Sequence, residues 1–318
     1  MISCPNCRYL IAEKEYKRYF VSPKNDKRYN LYHCPQCDLE YWNPRNIDHA
    51  YYEDEAAYAY ILFHRGALKL PKWSKWFLET FNHDDAKGQT LLDIGCGNGL
   101  FLSEAKKKSY EVHGIDLDKR SIDVAKQTYG IEHVYASTLS DFVVRAKEEG
   151  LTFDLITFFE VLEHQPDPTE FLAQVSSLLN PGGRIVGSVP NRDRVYPEGD
   201  RNNGDDLPPH HFLWLSEPVL RDMFGRQGWR QVSFSRLGYS LWEYSAWIQN
   251  MYFGGFSNKA RTVAAQTLLK EKKPDRFAFL DAIKFIRNIV FLPLAILTFP
   301  YFIYVNKKGW DLCFEVKT

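Results

Sequence analysis

Leu91-Leu92-Asp93-Ile94-Gly95-Cys96-Gly97-Asn98-Gly99 is the stretch on which the fold turns. An apolar run from Thr90 passes through one carboxylate into three alternate glycines, and Leu100, Phe101, Leu102 and Ala105 then begin a helix. Glycines at these positions let the chain turn tightly and approach a ligand, while the helix start aims free N–H groups at something electron-rich. The next apolar run, Tyr110 to Ile115, ends at Asp116, about 20 residues beyond the loop, where a carboxylate can accept hydrogen bonds from both hydroxyls of a ribose. A dinucleotide oxidoreductase usually reads Gly-x-Gly-x-x-Gly. Here the spacing is Gly-x-Gly-x-Gly, with Asp93 two residues ahead of the first glycine.

From Thr90 onward apolar strands alternate with amphipathic helices, which predicts an α/β fold with a parallel sheet covered on both faces. Asp93 to Gly99 resembles motif I of the class I S-adenosylmethionine-dependent methyltransferases. Phe153-Asp154-Leu155-Ile156-Thr157-Phe158-Phe159 resembles that family's fourth strand, and Leu178 to Val186 its helix-turn-fifth-strand passage. The resemblance implies a Rossmann-like sheet of seven strands, with Trp229 to Phe234 as the sixth and Trp310 to Val316 as the seventh. It also implies S-adenosylmethionine as cofactor, with Asp93, Gly95, Cys96, Gly97 and Gly99 near its methionine part and Asp116 and Leu117 at the ribose. Ser137, Thr138 and Leu139 would flank adenine, and Phe159 would close the fourth-strand end. The acidic residue that the family often places near adenine is missing from Ser137-Thr138-Leu139.

Cys4-Pro5-Asn6-Cys7 and Cys34-Pro35-Gln36-Cys37 repeat one pattern, so two tight turns can each offer a thiolate pair to one tetrahedral zinc ion. Lys17 to Val21 and Arg28 to Tyr32 read as strands between them, which predicts a zinc ribbon. Four thiolates leave no open position for water or substrate, so this zinc is structural. Residues 1–50 hold eight Lys/Arg against six Asp/Glu, too even a balance for a phosphate binder, and no nucleic-acid partner is expected.

Ligands of open α/β sheets sit beyond the carboxyl ends of the strands, so residues after strands four and five should face the methyl acceptor. If a helical turn starts at Glu160, then Glu160, Glu163 and His164 share one face. His164 and Glu160 are thus candidate catalytic groups. Glu160-Val161-Leu162-Glu163-His164 also resembles the corresponding stretch of ubiquinone-biosynthesis O-methyltransferases, which implies Glu160, Glu163 and His164 as a magnesium set. The polar loop Asn191 to Leu207 reads as a lid, and it closes on His210 and His211. Either histidine is a candidate base for an acceptor hydroxyl, although in an extended segment only one of the two can face a pocket. Asp167-Pro168-Thr169-Glu170 starts a helix whose Phe171, Leu172, Val175, Leu178 and Leu179 are core, and Asn180-Pro181-Gly182-Gly183 is expected to end it.

The expected organisation is a ribbon over 1–48, a helical linker over 49–89, the core over 90–239, an aromatic and apolar helical insertion over 240–308, and the last core strand over 309–318. The insertion carries aromatic residues in Leu241 to Phe256, a basic stretch around Lys270 to Arg276, and 17 uncharged positions from Ile289 to Val305. Pro293 and Pro300 interrupt that run, which suits a buried hairpin, an interfacial segment flanked by Arg287, Lys307 and Lys308, or one short span. Formal net charge is zero and gives no field for a polyanion. The start Met1-Ile2-Ser3-Cys4-Pro5 lacks the basic and apolar regions of a signal peptide, so a cytoplasmic protein is expected, with peripheral contact at the inner face of the membrane through the insertion. Ribbon-bearing relatives that the chain resembles include sugar methyltransferases. The expected acceptor is therefore a hydroxylated small or lipid-linked molecule, a sugar or envelope glycan first, methylated on oxygen or carbon, and a prenyl-quinone or lipid hydroxyl second. A non-catalytic cofactor-binding or assembly protein is the alternative from another class.

Overall fold

The computed structural model describes residues 1–47, 69–84, 86–194, 206–245, 248, 275–305 and 309–318, with side chains in the last helix described from residue 289. The lid, the aromatic stretch and the basic stretch expected from the sequence lie wholly or partly outside the described residues.

Five short strands come first: β1 (Ile2–Ser3), β2 (Leu10–Ile11), β3 (Arg18–Val21), β4 (Arg28–His33) and β5 (Glu40–Asn43). Helix α1 (Lys72–Thr80) precedes the alternating region, which runs β6 (Thr90–Ile94), α2 (Leu100–Lys107), β7 (Glu111–Asp116), α3 (Lys119–Tyr129), β8 (Val134–Ala136), α4 (Leu139–Glu149) and β9 (Phe153–Phe159). A single 3-10 turn at Leu162–His164 leads to α5 (Pro168–Ser177), β10 (Leu179–Pro190), β11 (Leu213–Trp214), α6 (Glu217–Arg226), β12 (Gln231–Leu237), α7 (Asp275–Val305) and β13 (Asp311–Lys317).

Seven strands form one sheet in the order β12-β13-β10-β9-β6-β7-β8. Strands β6 to β10 pair in parallel, whereas β13 runs antiparallel to both β10 and β12. This is the Rossmann-like sheet expected, with its last two strands in place. Because strand side chains alternate, consecutive residues serve opposite faces. Leu91, Leu155 and Val186 join Phe77 of α1, Phe101 and Leu102 of α2 and Ile122 of α3 in one core. Leu92, Ile156 and Ile185 join Phe142 of α4, Phe171 of α5 and Phe224 of α6 in the other.

The amino-terminal strands are built into this second core. Trp42 and Tyr41 are fully buried in it, and Trp42 meets Trp214 edge to face at 5.7 Å, a contact worth about 0.5–1.5 kcal/mol beyond the area it buries. The sheet of the ribbon is β11-β5-β4-β3, so its edge strand comes from the methyltransferase-like region. Polar contacts reinforce the join: Arg8 forks onto Asp167 at 2.7 and 3.0 Å, Arg45 Nε donates to the Pro166 carbonyl at 2.9 Å, and Thr169 Oγ1 donates to the Pro5 carbonyl at 2.9 Å. Cys4 and Cys37 Sγ lie 3.6 Å apart, and Cys7 and Cys34 Sγ 3.4 Å. Corners of a zinc tetrathiolate with bonds of about 2.3 Å are separated by about 3.8 Å. The four cysteines fit a structural zinc.

Three expectations need correction. α5 ends at Ser177 with Leu178 as its cap, and Asn180 to Gly183 lie inside β10, where the register against β9 shifts between Leu179 and Arg184. The proline and glycines therefore make a strand irregularity rather than a helix stop. The helical turn expected at Glu160 starts two residues later, at Leu162, because Glu160 is left-handed (φ 57°). Ile289 to Val305 is not a hairpin: it belongs to one helix, with Pro293 and Pro300 inside it. Each proline removes one helical hydrogen bond without ending the element. Phe291, Ala295, Phe299 and Phe302 of this helix pack on Tyr239, Leu241, Tyr244 and Ile248. Among the described residues no helix is long and apolar enough to cross a membrane.

Stripping zinc with a strong chelator is expected to do more than loosen residues 1–47. Amide exchange at Leu213 and Trp214 should accelerate together with that of β4 and β5, because among the described residues β11 pairs with β5 alone. Unchanged protection of β11 after metal removal, read by hydrogen-exchange mass spectrometry, would contradict the fused-sheet arrangement.

Candidate active site

A cavity of about 810 Å³ opens at the carboxyl ends of the parallel strands. Asp93, Gly95, Cys96, Gly97, Asp116, Leu117, Thr138, Leu139 and Phe159 line it, and so do Glu160, His164, His210 and His211. Its size is that of a cofactor or ligand pocket, about 300–1,000 Å³.

At the glycine-loop end the backbone is shaped by close approach. Gly95 has φ 79°, and a Cβ there would come within 2.7 Å of Val161 Cγ2. Gly99 is not among the cavity walls. It starts α2 with φ 77°, where a Cβ would meet Ala125 Cβ at 2.7 Å, so it sets the packing of α2 on α3. Asp116 accepts from Gly97 N–H through Oδ2 and from Asp118 N–H through Oδ1, both at 2.8 Å. Each carboxylate oxygen keeps a further lone pair, which is what two ribose hydroxyls require. Asp93 is buried, accepting from Thr157 Oγ1 at 2.7 Å, and burial, with the Asp116 charge adding, pushes its carboxyl up to about 8. Thr138 caps α4: its Oγ1 accepts from Asp141 N–H at 3.1 Å and donates to Asp141 Oδ2 at 2.7 Å.

At the other end the two glutamates find different partners. Glu160 Oε1 accepts from Ser188 Oγ at 2.7 Å, and burial, then the nearby Asp311 charge, pushes this carboxyl up to about 8. Glu163 is 1% exposed, neither of its oxygens has a hydrogen-bond partner, and Oε1 lies 3.8 Å from Nε2 of both His164 and His211. Burial, with Glu160 second, raises its carboxyl well above the ordinary range. The single face expected for Glu160, Glu163 and His164 does not form, since the backbone at Glu160 is not helical.

His210 and His211 do both face the cavity. Their segment is a turn, with both N–H groups on the Leu207 carbonyl, and the rings stack at 4.7 Å. His164 Nδ1 donates to the His210 carbonyl at 2.7 Å, and His211 Nδ1 to Asp206 Oδ1 at 3.1 Å. Burial, followed by the neighbouring His210, pulls His164 down to about 3; burial also pulls His211 down to about 4, against the opposing pull of Asp206. Both rings are neutral at pH 7.

Over residues 38–233 the sequence matches the methyltransferase domain family. The chain belongs to that family. A ubiquinone biosynthesis O-methyltransferase from Aeromonas salmonicida is 28% identical over 159 residues, covering 43% of this chain and 66% of that protein. Its counterpart from Vibrio parahaemolyticus is 34% identical over 149 residues, covering 41% and 62%. The chain thus spans just under two thirds of the length of these relatives. A crystal structure of an SAM-dependent methyltransferase from Archaeoglobus fulgidus is 16% identical, with 82% of this chain and 100% of that chain covered at a TM-score of 0.48.

Several residues around the methyltransferase cavity escaped the sequence. Lys69, Pro71, Trp73 and Ser74 line it from the stretch read as a linker, and an aromatic-rich helix just before the first strand was the available signal. Ser188 and Asp206 were invisible, because nothing local separates Asp206, which binds His211 and pairs with Arg194 at 2.9 Å, from its neighbour Asp205.

Asp93 gives the cofactor end a pH signature. A carboxyl held near 8 is mostly protonated at pH 7, so if Asp93 receives the ammonium group of S-adenosylhomocysteine it must ionise to do so. Affinity is therefore expected to fall by up to about tenfold per pH unit below 8, with proton release on binding. Calorimetry between pH 6 and 8.5 checks this, and a flat affinity for the wild type would exclude Asp93 from the binding charge; Asp93→Asn should flatten it.

Proposed function

We propose that this chain is an S-adenosylmethionine-dependent methyltransferase that methylates a hydroxyl oxygen of a small or lipid-linked acceptor. The observation that carries the reading is one cavity with two chemically distinct ends: a glycine loop and Asp116 at one, Glu160 and three histidines at the other. In the reaction the acceptor oxygen forms a bond to the methyl carbon, the carbon–sulfur bond breaks, and its electron pair neutralises the sulfonium. The hydroxyl proton passes to a base. Positioning supplies most of the effect, since both reactants are held in one enclosed site.

Among the candidate bases Glu160 is the best matched. A carboxyl near 8 sits close to working pH, whereas imidazoles drawn down to about 3 and 4 are weak proton acceptors. Such a base suits a phenolic hydroxyl, with a pKa of about 10, better than a sugar alcohol. The relatives named as ubiquinone biosynthesis O-methyltransferases support the same order, so an aromatic hydroxyl replaces the glycan as first choice. Val290, Leu297, Tyr301 and Tyr304 of α7 are strongly exposed, Leu297 at 79%, which supports a peripheral membrane contact and an acceptor on an apolar carrier.

Wild-type protein should bind S-adenosylhomocysteine in a calorimeter, and Asp116→Ala should weaken that binding by about 30- to 150-fold, the loss of about 2–3 kcal/mol of charged hydrogen bonding. No binding by the wild type would end the cofactor reading. Glu160→Gln is expected to keep cofactor affinity and lower kcat by about 100-fold on a responsive phenol; an unchanged kcat would remove it as the base. In a panel of catechols, phenols and nucleotide sugars, turnover of sugars alone would restore the glycan reading. Liposome flotation should recover the wild type with anionic vesicles and lose Leu297→Glu/Tyr301→Glu; equal partitioning of the two would dismiss the membrane contact.

A further inference from the structure

We propose that His164, His210, His211 and the carboxylate of Glu163 form a second metal site in this chain, for a divalent ion of the zinc type, at the acceptor end of the cavity. The ligand atoms of the three imidazoles lie within 4.8 Å of one another. Glu163 adjoins two members of the group: it is 1% exposed, has no hydrogen-bond partner on either oxygen, and holds Oε1 3.8 Å from Nε2 of His164 and of His211. An ionised carboxylate left so deep costs several kcal/mol, and a bound cation removes that cost.

The orientation of the rings is a second, separate observation. A carbonyl can only accept, so His164 Nδ1 is the protonated nitrogen facing His210. Asp206, paired with Arg194, fixes the proton of His211 on Nδ1 in the same way. In the neutral rings Nε2 then carries the lone pair, and both of these atoms lie 3.8 Å from one carboxylate oxygen. With Glu163 ionised, three acceptor atoms would meet here, and a cation among them would relieve that. Metal-binding histidines characteristically carry a carbonyl or a carboxylate on the nitrogen that does not bind, and both rings have one here.

Tetrahedral ligands at about 2.0–2.1 Å are separated by about 3.3 Å, so seating an ion takes roughly half an ångström of contraction at the two 3.8 Å Glu163 contacts and up to about 1.5 Å among imidazole nitrogens that lie within 4.8 Å of one another. Three nitrogens and one oxygen favour zinc or a similar transition ion over magnesium, which prefers oxygen. The set also differs from the magnesium group expected by resemblance, because Glu160 is engaged by Ser188 and takes no part. A role for the ion in orienting the acceptor oxygen rests on the methyltransferase reading; binding of the ion does not.

Cobalt(II) titration of the full chain, after removal of metal, separates the two sites. Thiolates of the ribbon give intense near-ultraviolet charge-transfer absorption, whereas a histidine and carboxylate site gives only visible d–d bands. Two equivalents are expected for the wild type, the second without charge transfer. Glu163→Gln and His211→Asn should each retain the first equivalent and lose the second, with a cooperative melt as the folding control. His210→Ala, at a partly exposed position, should weaken the second site at least tenfold should either of those variants fail to fold. A wild type that takes up the thiolate equivalent alone, or variants that still take up two, would overturn the site. Failure to bind S-adenosylhomocysteine would count against the cofactor reading and leave this result standing.

Discussion

The backbone of Phe212 is bonded on both sides, and the histidine end of the cavity hangs on that fact. Its N–H donates to the Glu163 carbonyl at 2.9 Å, and its carbonyl accepts from Trp42 N–H at 2.8 Å. One residue thereby ties the turn that carries Glu163 and His164 to the ribbon. It also fixes His210 and His211 immediately before it, and β11 immediately after. Backbone groups buried here have no water to fall back on, so the two bonds define the position of everything attached to them. The ribbon, which looks from its cysteine spacing like a separate module, is in this respect a wall of the site.

Burial does the electrostatic work in this cavity. Asp93, Glu160 and Glu163 all lie where ionisation is disfavoured, and His164 and His211 lie where protonation is. Ordinary surface values would leave the carboxyls charged and the imidazoles about a quarter charged at pH 7; the fold instead collects neutral groups facing one another. Such a collection is stable only while cofactor, acceptor, proton or ion supplies the missing partner. That is the expected condition of a site built for ligands rather than of a core built for rigidity.

The glycine-loop end of the cavity was legible because its pattern is local in sequence. Glycines, a strand and an acid after the next strand fall within one βαβ unit, and the structure gathers Asp93, Gly95, Gly97 and Asp116 around one opening. The parallel sheet was legible for the same reason, through alternating strands and helices. What could not be read depends on long-range packing: β11 joining the ribbon sheet, Ser188 meeting Glu160 across 28 positions, Asp206 meeting His211. The left-handed backbone at Glu160 also defeated a periodicity argument, since no glycine or asparagine marks the place. Gly99 is a motif residue whose visible work is packing α2 on α3.

The division of the central sheet between two cores has a consequence for how this chain can change. Leu91 and Leu92 are covalent neighbours, yet one packs with Phe77 and Phe101 beneath the helices on the cofactor side, and the other shares a core with Trp42 of the ribbon. Volume lost on one face leaves a void that residues of that face alone are placed to fill, because the pleated backbone stands between the two. Repacking around the ribbon can therefore proceed without disturbing the other face. A lineage is free to remodel the ribbon face of the sheet while the helices behind the glycine loop stay as they are.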